Sequence, residues 1–139
     1  MIMVGGSLPK QVKLRIEIPF LPPGETSPNW RGHWSVRSPA AADYREAVRF
    51  YCINQRNLTK RWVPFSRPVM DLTFIFDLER HRDEDNMRTR FKPGLDGMVD
   101  AELLIDDNPR RLITGKLNMI VDKERAPMTI IELREADDE

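Results

Sequence analysis

Residues 70–78 read MDLTFIFDL, and this stretch decides the fold class. Hydrophobic side chains occupy alternate positions along it, at Met70, Leu72, Phe74, Phe76 and Leu78. The positions between them are mostly polar, so one face is apolar and the other is not. A period of two is typical of a β-strand with one face buried. The sequence therefore predicts a strand here, around which the rest of the domain is built.

Three further segments predict strands that extend this sheet. The segment Lys13–Phe20 alternates in the same way, with Leu14 and two isoleucines set against charged residues. Residues 111–121 and 128–133 predict two more strands near the end of the chain.

Two helices are predicted between the strands. Ser38 and Pro39 are typical of an N-cap and a first helical position, and the helix is expected to end near Asn57. Its apolar side chains recur at helical spacing, at Tyr44, Ala47, Val48, Tyr51 and Cys52. A second, shorter helix is expected between residues 86 and 104, started or kinked by Pro93. The order strand, helix, strand, helix, strand, strand predicts an α+β fold, a single small domain with a mixed β-sheet and two helices.

Length and composition suit one domain covering residues 1–139, with a flexible N-terminus at about 1–10 and an acidic C-terminal tail at about 135–139. No apolar run approaches the roughly 20 residues of a membrane span, and the N-terminus does not resemble a signal peptide. We therefore expect a cytoplasmic protein with no membrane partner. Cys52 is the only cysteine, which excludes an intrachain disulfide and a cysteine zinc site. Any metal would need oxygen ligands, which favours magnesium, manganese or calcium.

Charge is unevenly distributed although the net charge is zero. Residues 1–67 contain eleven basic and four acidic side chains, a balance of +7, and residues 68–139 contain eleven basic and eighteen acidic ones, a balance of −7. A basic half beside an acidic half suits a protein that binds phosphates and holds a divalent metal. Ordinary surface charge with an acidic tail would produce the same pattern.

Carboxylates follow the best-defined strand at a suggestive spacing. Asp83 and Asp85 are two residues apart, so in extended backbone their side chains would project to the same side. A divalent cation between them would turn their repulsion into coordination. The pair Asp106 and Asp107 follows a short apolar element and could supply a third carboxylate. Each motif by itself is also typical of a solvated turn.

Taken together and in order, these motifs resemble the RusA family of Holliday junction resolvases. The matching segments are RDEDNM at 82–87, KP at 92–93, DGM at 96–98, IDD at 105–107 and the proline-rich loop at 21–29. The resemblance covers roughly residues 14–121 and depends on the combined order of the motifs. It implies a homodimeric, magnesium-dependent endonuclease, with manganese as an alternative metal. Such an enzyme resolves four-way DNA junctions by paired nicking in recombination and repair.

The resemblance also assigns roles to residues. Asp83 and Asp85 match metal ligands, and Asp107 matches the third, with Asp106 as its alternative. Lys92 matches the catalytic lysine across a short gap. Without that gap, Thr89 falls at the lysine position of the family, so Arg88 and Arg90 remain alternatives for this cation. The DNA-binding candidates are basic or amide side chains of the basic half and of the motif region: Asn29, Arg31, Arg37, Arg45, Arg49, Arg82, Arg88 and Arg90. For the arginines of the first helix, a solvated face is an equal alternative.

Three other functions stay open at this stage. One is a metal nuclease with a looser choice among branched DNAs. Another is a non-catalytic DNA-binding dimer that keeps the fold and the basic half. The third is a protein-interaction domain that uses Trp30, Trp34 and Trp62 as contact residues.

Overall fold

A computed structural model describes residues 13–136, apart from the side chains of Trp34 and Ser35. The predicted flexible N-terminus at about 1–10 and the last residues of the predicted tail, 137–139, lie outside the described residues. Glu135, where that tail was expected to begin, is instead the last residue of a strand. Its carboxylate accepts hydrogen bonds from the backbone N–H groups of Ser66 and Arg67, at 3.1 and 2.7 Å.

Four strands form one mixed sheet. They are β1 at Lys13–Ile18, β2 at Pro68–Phe76, β3 at Ile113–Val121 and β4 at Met128–Glu135. The order across the sheet is β1-β4-β2-β3, with β2 antiparallel to β4 and parallel to β3. A parallel pair needs a crossover, and the segment between β2 and β3 supplies it as helix. The predicted α+β fold with a mixed sheet is confirmed.

Strand β2 lies near the centre of the sheet and carries much of the core. Leu72, Phe74 and Phe76 are almost fully buried on the face that the helices cover. Ile75 points to the other face yet is also buried, beside Met128 of β4 and Ile120 of β3 in the register. The strand ends at Phe76, two residues before its predicted end.

Helix α1 spans Trp34–Leu58 and begins earlier than predicted. The expected N-cap at Ser38 is wrong, and Pro39 lies inside the helix. The N–H groups of Val36 and Arg37 bond to the carbonyl of His33, which starts the helix upstream. Pro39 lacks a backbone N–H, so it removes a single hydrogen bond near the start of the helix. That loss is small enough for the helix to continue through the proline. The predicted apolar face is confirmed, since Val48 and Cys52 are fully buried.

The predicted second helix is two helices, so the domain has three α-helices among its described residues rather than two. Helix α2 spans Glu84–Arg90 and α3 spans Lys92–Asp100. They meet at Phe91, whose carbonyl accepts the N–H groups of Gly94 and Leu95. Pro93 starts α3 because it has no N–H to continue α2. The buried ring of Phe91 anchors the junction in the core.

Helices α1 and α3 pack closely through a glycine. A Cβ atom at Gly97 would lie 2.5 Å from the carbonyl oxygen of Arg45. This contact requires glycine because no larger residue leaves room for the α1 backbone. None of the helices in residues 13–136 is both long enough and apolar enough to cross a bilayer.

Candidate functional site

A groove of about 800 Å³ opens at the carboxyl end of β2. It lies between the loop that leaves β2, the start of α2 and the proline-rich loop before α1. Three of the predicted site residues, Asp83, Arg82 and Arg90, line it together with Asn29. The carboxyl ends of strands beside a parallel pair are common ligand sites in sheets flanked by helices. Four sequence-predicted residues therefore meet in one groove.

Arg82 is oriented by an aromatic ring. Its guanidinium carbon lies 3.6 Å from the centre of the Phe76 ring, and one amino group donates to the carbonyl of Arg80 at 3.2 Å. Stacking on an aromatic face fixes the plane of a guanidinium and leaves its outer edge available. Partial burial, and then the nearby charge of Arg80, lower the pKa of Arg82 from its ordinary value. An anion in the groove would relieve this repulsion.

Arg90 is half-buried and forms no ion pair within the described part of the chain, and the charge of Glu25 only partly offsets the effect of burial on its pKa. Its amino groups donate to the carbonyl of Pro22 at 2.6 Å and to the sulfur of Met87 at 3.4 Å. Its Nε atom is buried and makes no hydrogen bond. Burial, and then the charge of Arg82, lower the pKa of Arg90. A buried charge is costly unless it is paired, so this guanidinium favours the approach of an anion.

Arg80 and His81 also line the groove, although sequence reasoning did not select them. Both are exposed and lie just before Arg82 in the loop that follows β2. Their position just before the Arg82–Asp85 motif was the available signal in the sequence, but only the fold shows that they share a groove with Asn29 and Arg90.

Asp83 and Asp85 lie at the start of α2 with different backbone conformations. Asp83 is extended and caps the helix, with its Oδ1 accepting from the N–H of Asp85 at 2.8 Å. Asp85 is already in the first helical turn, so the expectation that both residues are extended is wrong. The helix begins here because aspartate is a good N-cap. The exposed Asp85 carboxylate makes no hydrogen bond or ion pair with residues 13–136, and the second oxygen of Asp83 stays available.

The other two acidic candidates are engaged in local contacts. Asp106 caps the loop before β3, with its two oxygens accepting from the Asp107 N–H at 2.7 Å and the Asn108 side chain at 2.8 Å. Asp107 pairs with the ammonium of Lys92, which also bonds to Asp96 at 3.0 Å. The hydrogen bond from Lys92 lowers the pKa of Asp107, and the same bond raises the pKa of Lys92. This structure therefore makes Asp107 a partner of Lys92.

The fit of these residues to a metal is incomplete. Their carboxylate oxygens are the donors that magnesium prefers. However, Asp83 and Asp107 line different cavities, and no group of three or more acidic, histidine or cysteine side chains in residues 13–136 is arranged to hold an ion. The donor chemistry suits magnesium or manganese, while the three predicted ligands are not assembled.

Several predicted DNA-binding arginines have acidic partners. Arg45 forms a two-bond ion pair with Asp100, at 2.6 and 2.8 Å. This contact raises the pKa of Arg45 and lowers that of Asp100. Arg49 bonds to Glu46 at 3.0 Å, one turn away. The solvated alternative for this helix face gains support, although DNA binding by these residues remains a prediction.

The remaining DNA-binding candidates either contact neighbouring residues or lie on the surface. Arg88 bonds to Glu84 at 3.0 Å and to the carbonyl of Gly115 at 3.1 Å, which ties α2 to β3. Arg37 lines a second groove of about 430 Å³ that also includes Arg45 and Lys92. Arg31 is exposed in the loop before α1.

The tryptophans give little support to the protein-interaction alternative. Trp62 packs edge-on against the buried Phe65, with ring centres 5.9 Å apart, and the indole nitrogens of Trp30 and Trp62 are both buried. The side chain of Trp34 lies outside the described atoms. Trp62 is therefore a partly buried residue that packs against the core.

Comparison with known proteins finds sequence similarity but no named family. No family model matches the sequence. An uncharacterized protein of Xylella fastidiosa, strain Temecula1, is 38% identical over 101 residues. The match covers 69% of this chain and 61% of the relative. The chain therefore spans less than two thirds of the relative's length, and the relative's description names no activity.

Proposed function

We propose that this protein is a cytoplasmic, magnesium-dependent endodeoxyribonuclease that resolves four-way DNA junctions in recombination and repair. The observation that carries the proposal is the groove at the end of β2. Arg80, Arg82 and Arg90 line it together with Asp83, and Arg90 forms no ion pair within residues 13–136. Cations beside a carboxylate that could hold a divalent ion suit a phosphodiester, which brings negative charge into the groove.

The arginines would bind and orient the DNA backbone. A guanidinium presents several donors in one plane and matches two phosphate oxygens at once. Arg82 is held in a fixed plane by Phe76, and Arg90 is held by Pro22, so neither needs to be ordered when DNA binds. The amide of Asn29, which also lines the groove, adds a neutral donor. Fixed donors of this kind stabilise the charge that grows on a phosphoryl group during hydrolysis.

Asp83, Asp85 and Asp107 would hold the metal, with Asp106 as the alternative third ligand. Magnesium or manganese would supply an activated water and neutralise charge at the phosphate. Asp83 can offer one oxygen while the other keeps its N-cap bond, and Asp85 is unengaged within the described residues. The catalytic cation remains assigned to Lys92, with Arg88 and Arg90 as the alternatives that the alignment of the motifs leaves open.

Homodimer formation is part of the proposal because paired nicks need two active sites related by a two-fold axis. The end of β3, one of the two edge strands of the described sheet, exposes Met119, Ile120 and Val121. Exposed apolar residues on an unpaired edge favour coverage by another chain. Light scattering after gel filtration would test this part of the proposal.

The deciding experiment is a cleavage assay on a four-way junction and on linear duplexes of the same arm sequences, with and without Mg²⁺. We expect paired nicks in the junction alone, and none with Asp85→Asn. Equal cutting of flaps, forks and junctions would favour the less selective nuclease.

A non-catalytic DNA-binding dimer is the second candidate, and one observation favours it. The contact between Lys92 and Asp107 engages one oxygen of the third carboxylate with an ammonium. Tight, magnesium-independent junction binding without any nick would establish this alternative.

A further inference from the structure

Thr26 is a buried threonine in the proline-rich loop, and its hydroxyl contacts two carbonyl groups. It ends the short 3-10 helix Gly24–Thr26, and the residue is only 4% exposed. The hydroxyl lies 2.8 Å from the carbonyl oxygen of Pro23 and 2.9 Å from that of Arg90, at the end of α2. A hydroxyl has one proton, so its hydrogen bond is shared between these two acceptors. The hydroxyl therefore joins the loop to a residue that is 64 positions away in the sequence.

Arg90 contacts the same loop in return, through its side chain. One of its amino groups donates to the carbonyl of Pro22 at 2.6 Å. Pro22 and Pro23 have no N–H group, so their main chain can be held by hydrogen bonds only through the carbonyl oxygens. We call the two contacts, from Thr26 to the Arg90 carbonyl and from Arg90 to the Pro22 carbonyl, the Thr26–Arg90 link.

The Thr26–Arg90 link restrains the position of the Arg90 guanidinium. The Nε atom of Arg90 is buried without a hydrogen bond, which is costly, and the charge of Arg82 opposes a second cation nearby. Neither condition would keep a flexible side chain in place, so other contacts have to hold it. The sulfur of Met87 is only a weak acceptor. The link is the stronger restraint, because one of its contacts holds the main chain of Arg90 and the other holds its guanidinium.

The same link restrains the loop residues that line the groove at the end of β2. Ser27 follows Thr26 directly, and its hydroxyl accepts a hydrogen bond from the N–H of Asn29 at 3.2 Å. Ser27, Asn29 and Arg90 all line that groove, whereas Thr26 lines the neighbouring groove of about 430 Å³. Thr26 therefore acts on a ligand of the first groove through the residues that line it.

On the basis of the proposed function, we propose that Thr26 is a positioning residue for DNA binding, whose hydrogen bond to Arg90 holds the proline-rich loop against α2 so that Asn29 and Arg90 bind the same DNA backbone. Donors that are held in place before DNA arrives lose less conformational freedom on binding, which increases affinity. Removal of the hydroxyl should leave the donors present but no longer held together.

The test compares Thr26→Val with Thr26→Ser in the full chain. Valine keeps the size of threonine and removes the hydroxyl, whereas serine keeps the hydroxyl. The first measurement needs no DNA and follows, by NMR, the exchange of the Arg90 Nε–H proton with water. Because this group is buried, its exchange should be slow in the wild type. Thr26→Val should accelerate the exchange about tenfold, the scale of one lost hydrogen bond, and Thr26→Ser should keep it near the wild-type rate.

The second measurement is the affinity for a labelled four-way junction in EDTA, from fluorescence anisotropy. We expect the dissociation constant to rise about tenfold in Thr26→Val and to stay within about twofold of the wild type in Thr26→Ser. Thr59→Val is the matched control, because Thr59 also donates its hydroxyl to a carbonyl, that of Gln55 at 3.0 Å, and does not line the groove. It should change neither measurement.

A double variant isolates the contact with Arg90. In an Arg90→Gln background, Thr26→Val should weaken junction binding by less than about twofold, because the guanidinium that it positions is gone. Any of four results would overturn the inference: unchanged Arg90 exchange in Thr26→Val, an unchanged dissociation constant, a loss that serine does not restore, or a full loss in the Arg90→Gln background.

The proposed function can fail separately from this inference. A wild-type protein that binds the junction and never cuts it contradicts the nuclease, and the comparison of Thr26 variants stays valid. A wild-type protein that binds no junction overturns both.

Discussion

Replacement of Arg80 and Arg82 by alanine is expected to weaken DNA binding in a salt-dependent way. Both side chains line the groove beside Asp83, and Arg80 is exposed while Arg82 rests on the Phe76 ring. Loss of that ring contact should cost no more than about 1 kcal/mol of folding free energy, the value for an exposed cation–π pair. The double variant should therefore fold, so any change in DNA binding reports on phosphate contacts.

The expected size follows from counterion release. Each phosphate contact to duplex DNA changes the slope of log affinity against log salt by about 0.9, so two lost contacts should flatten it by about 1.8. Between about 50 and 200 mM salt, a fourfold change, the wild type should lose about 12-fold more affinity than the variant. Fluorescence anisotropy of a labelled four-way junction in EDTA measures this slope without cleavage.

The matched control is a double change of Arg45 and Arg49 to alanine on α1. These arginines already pair with Asp100 and Glu46, so they have less charge to offer to phosphate. We expect a slope change below about half of that for the groove variant. A wild-type slope for the groove variant, or a larger flattening by the α1 variant, would show that Arg80 and Arg82 do not contact phosphate.

Three further predictions concern chemistry and packing. Asp85→Asn should abolish junction nicking and retain binding, because it removes a candidate metal ligand whose carboxylate makes no hydrogen bond within residues 13–136. Full activity at saturating Mg²⁺ in a gel assay would contradict the assignment. Burial raises the pKa of Cys52 to about 12, so its alkylation by iodoacetamide at pH 8.5 should be about 1000-fold slower than in urea, and the protonated thiol's contribution to stability should be lost as pH rises from the unfolded pKa toward the folded one. A native rate equal to the unfolded rate would show that Cys52 is accessible. Gly97→Ala should lower the free energy of unfolding by about 1–3 kcal/mol in urea titrations, because its Cβ would strike the Arg45 carbonyl; an unchanged midpoint would mean that α3 moves freely.

Local pattern determined which segments become strands and helices. The alternation around Phe74 and in Lys13–Ile18 can be recognised without knowing which strand lies beside it. A strand with one buried face has hydrophobic side chains at every second residue. The same holds for Val48 and Cys52 on α1, which face the core at helical spacing. The position of Asp83 and Asp85 just beyond the end of β2 was likewise predictable, because the two residues are close in sequence and follow the strand.

Contacts between residues distant in sequence determined the strand pairing, the helix break and the charge pairs, and a local sequence pattern does not predict such contacts. The parallel pairing of β2 with β3 depends on how the crossover packs, and the break at Phe91 depends on a ring buried against the sheet. Arg45 is paired by Asp100, 55 residues away, which a basic stripe on a helix cannot reveal. Only the tertiary structure showed that Lys92 meets Asp107, because the charge pairing and desolvation that decide it arise when α3 and the loop before β3 come together.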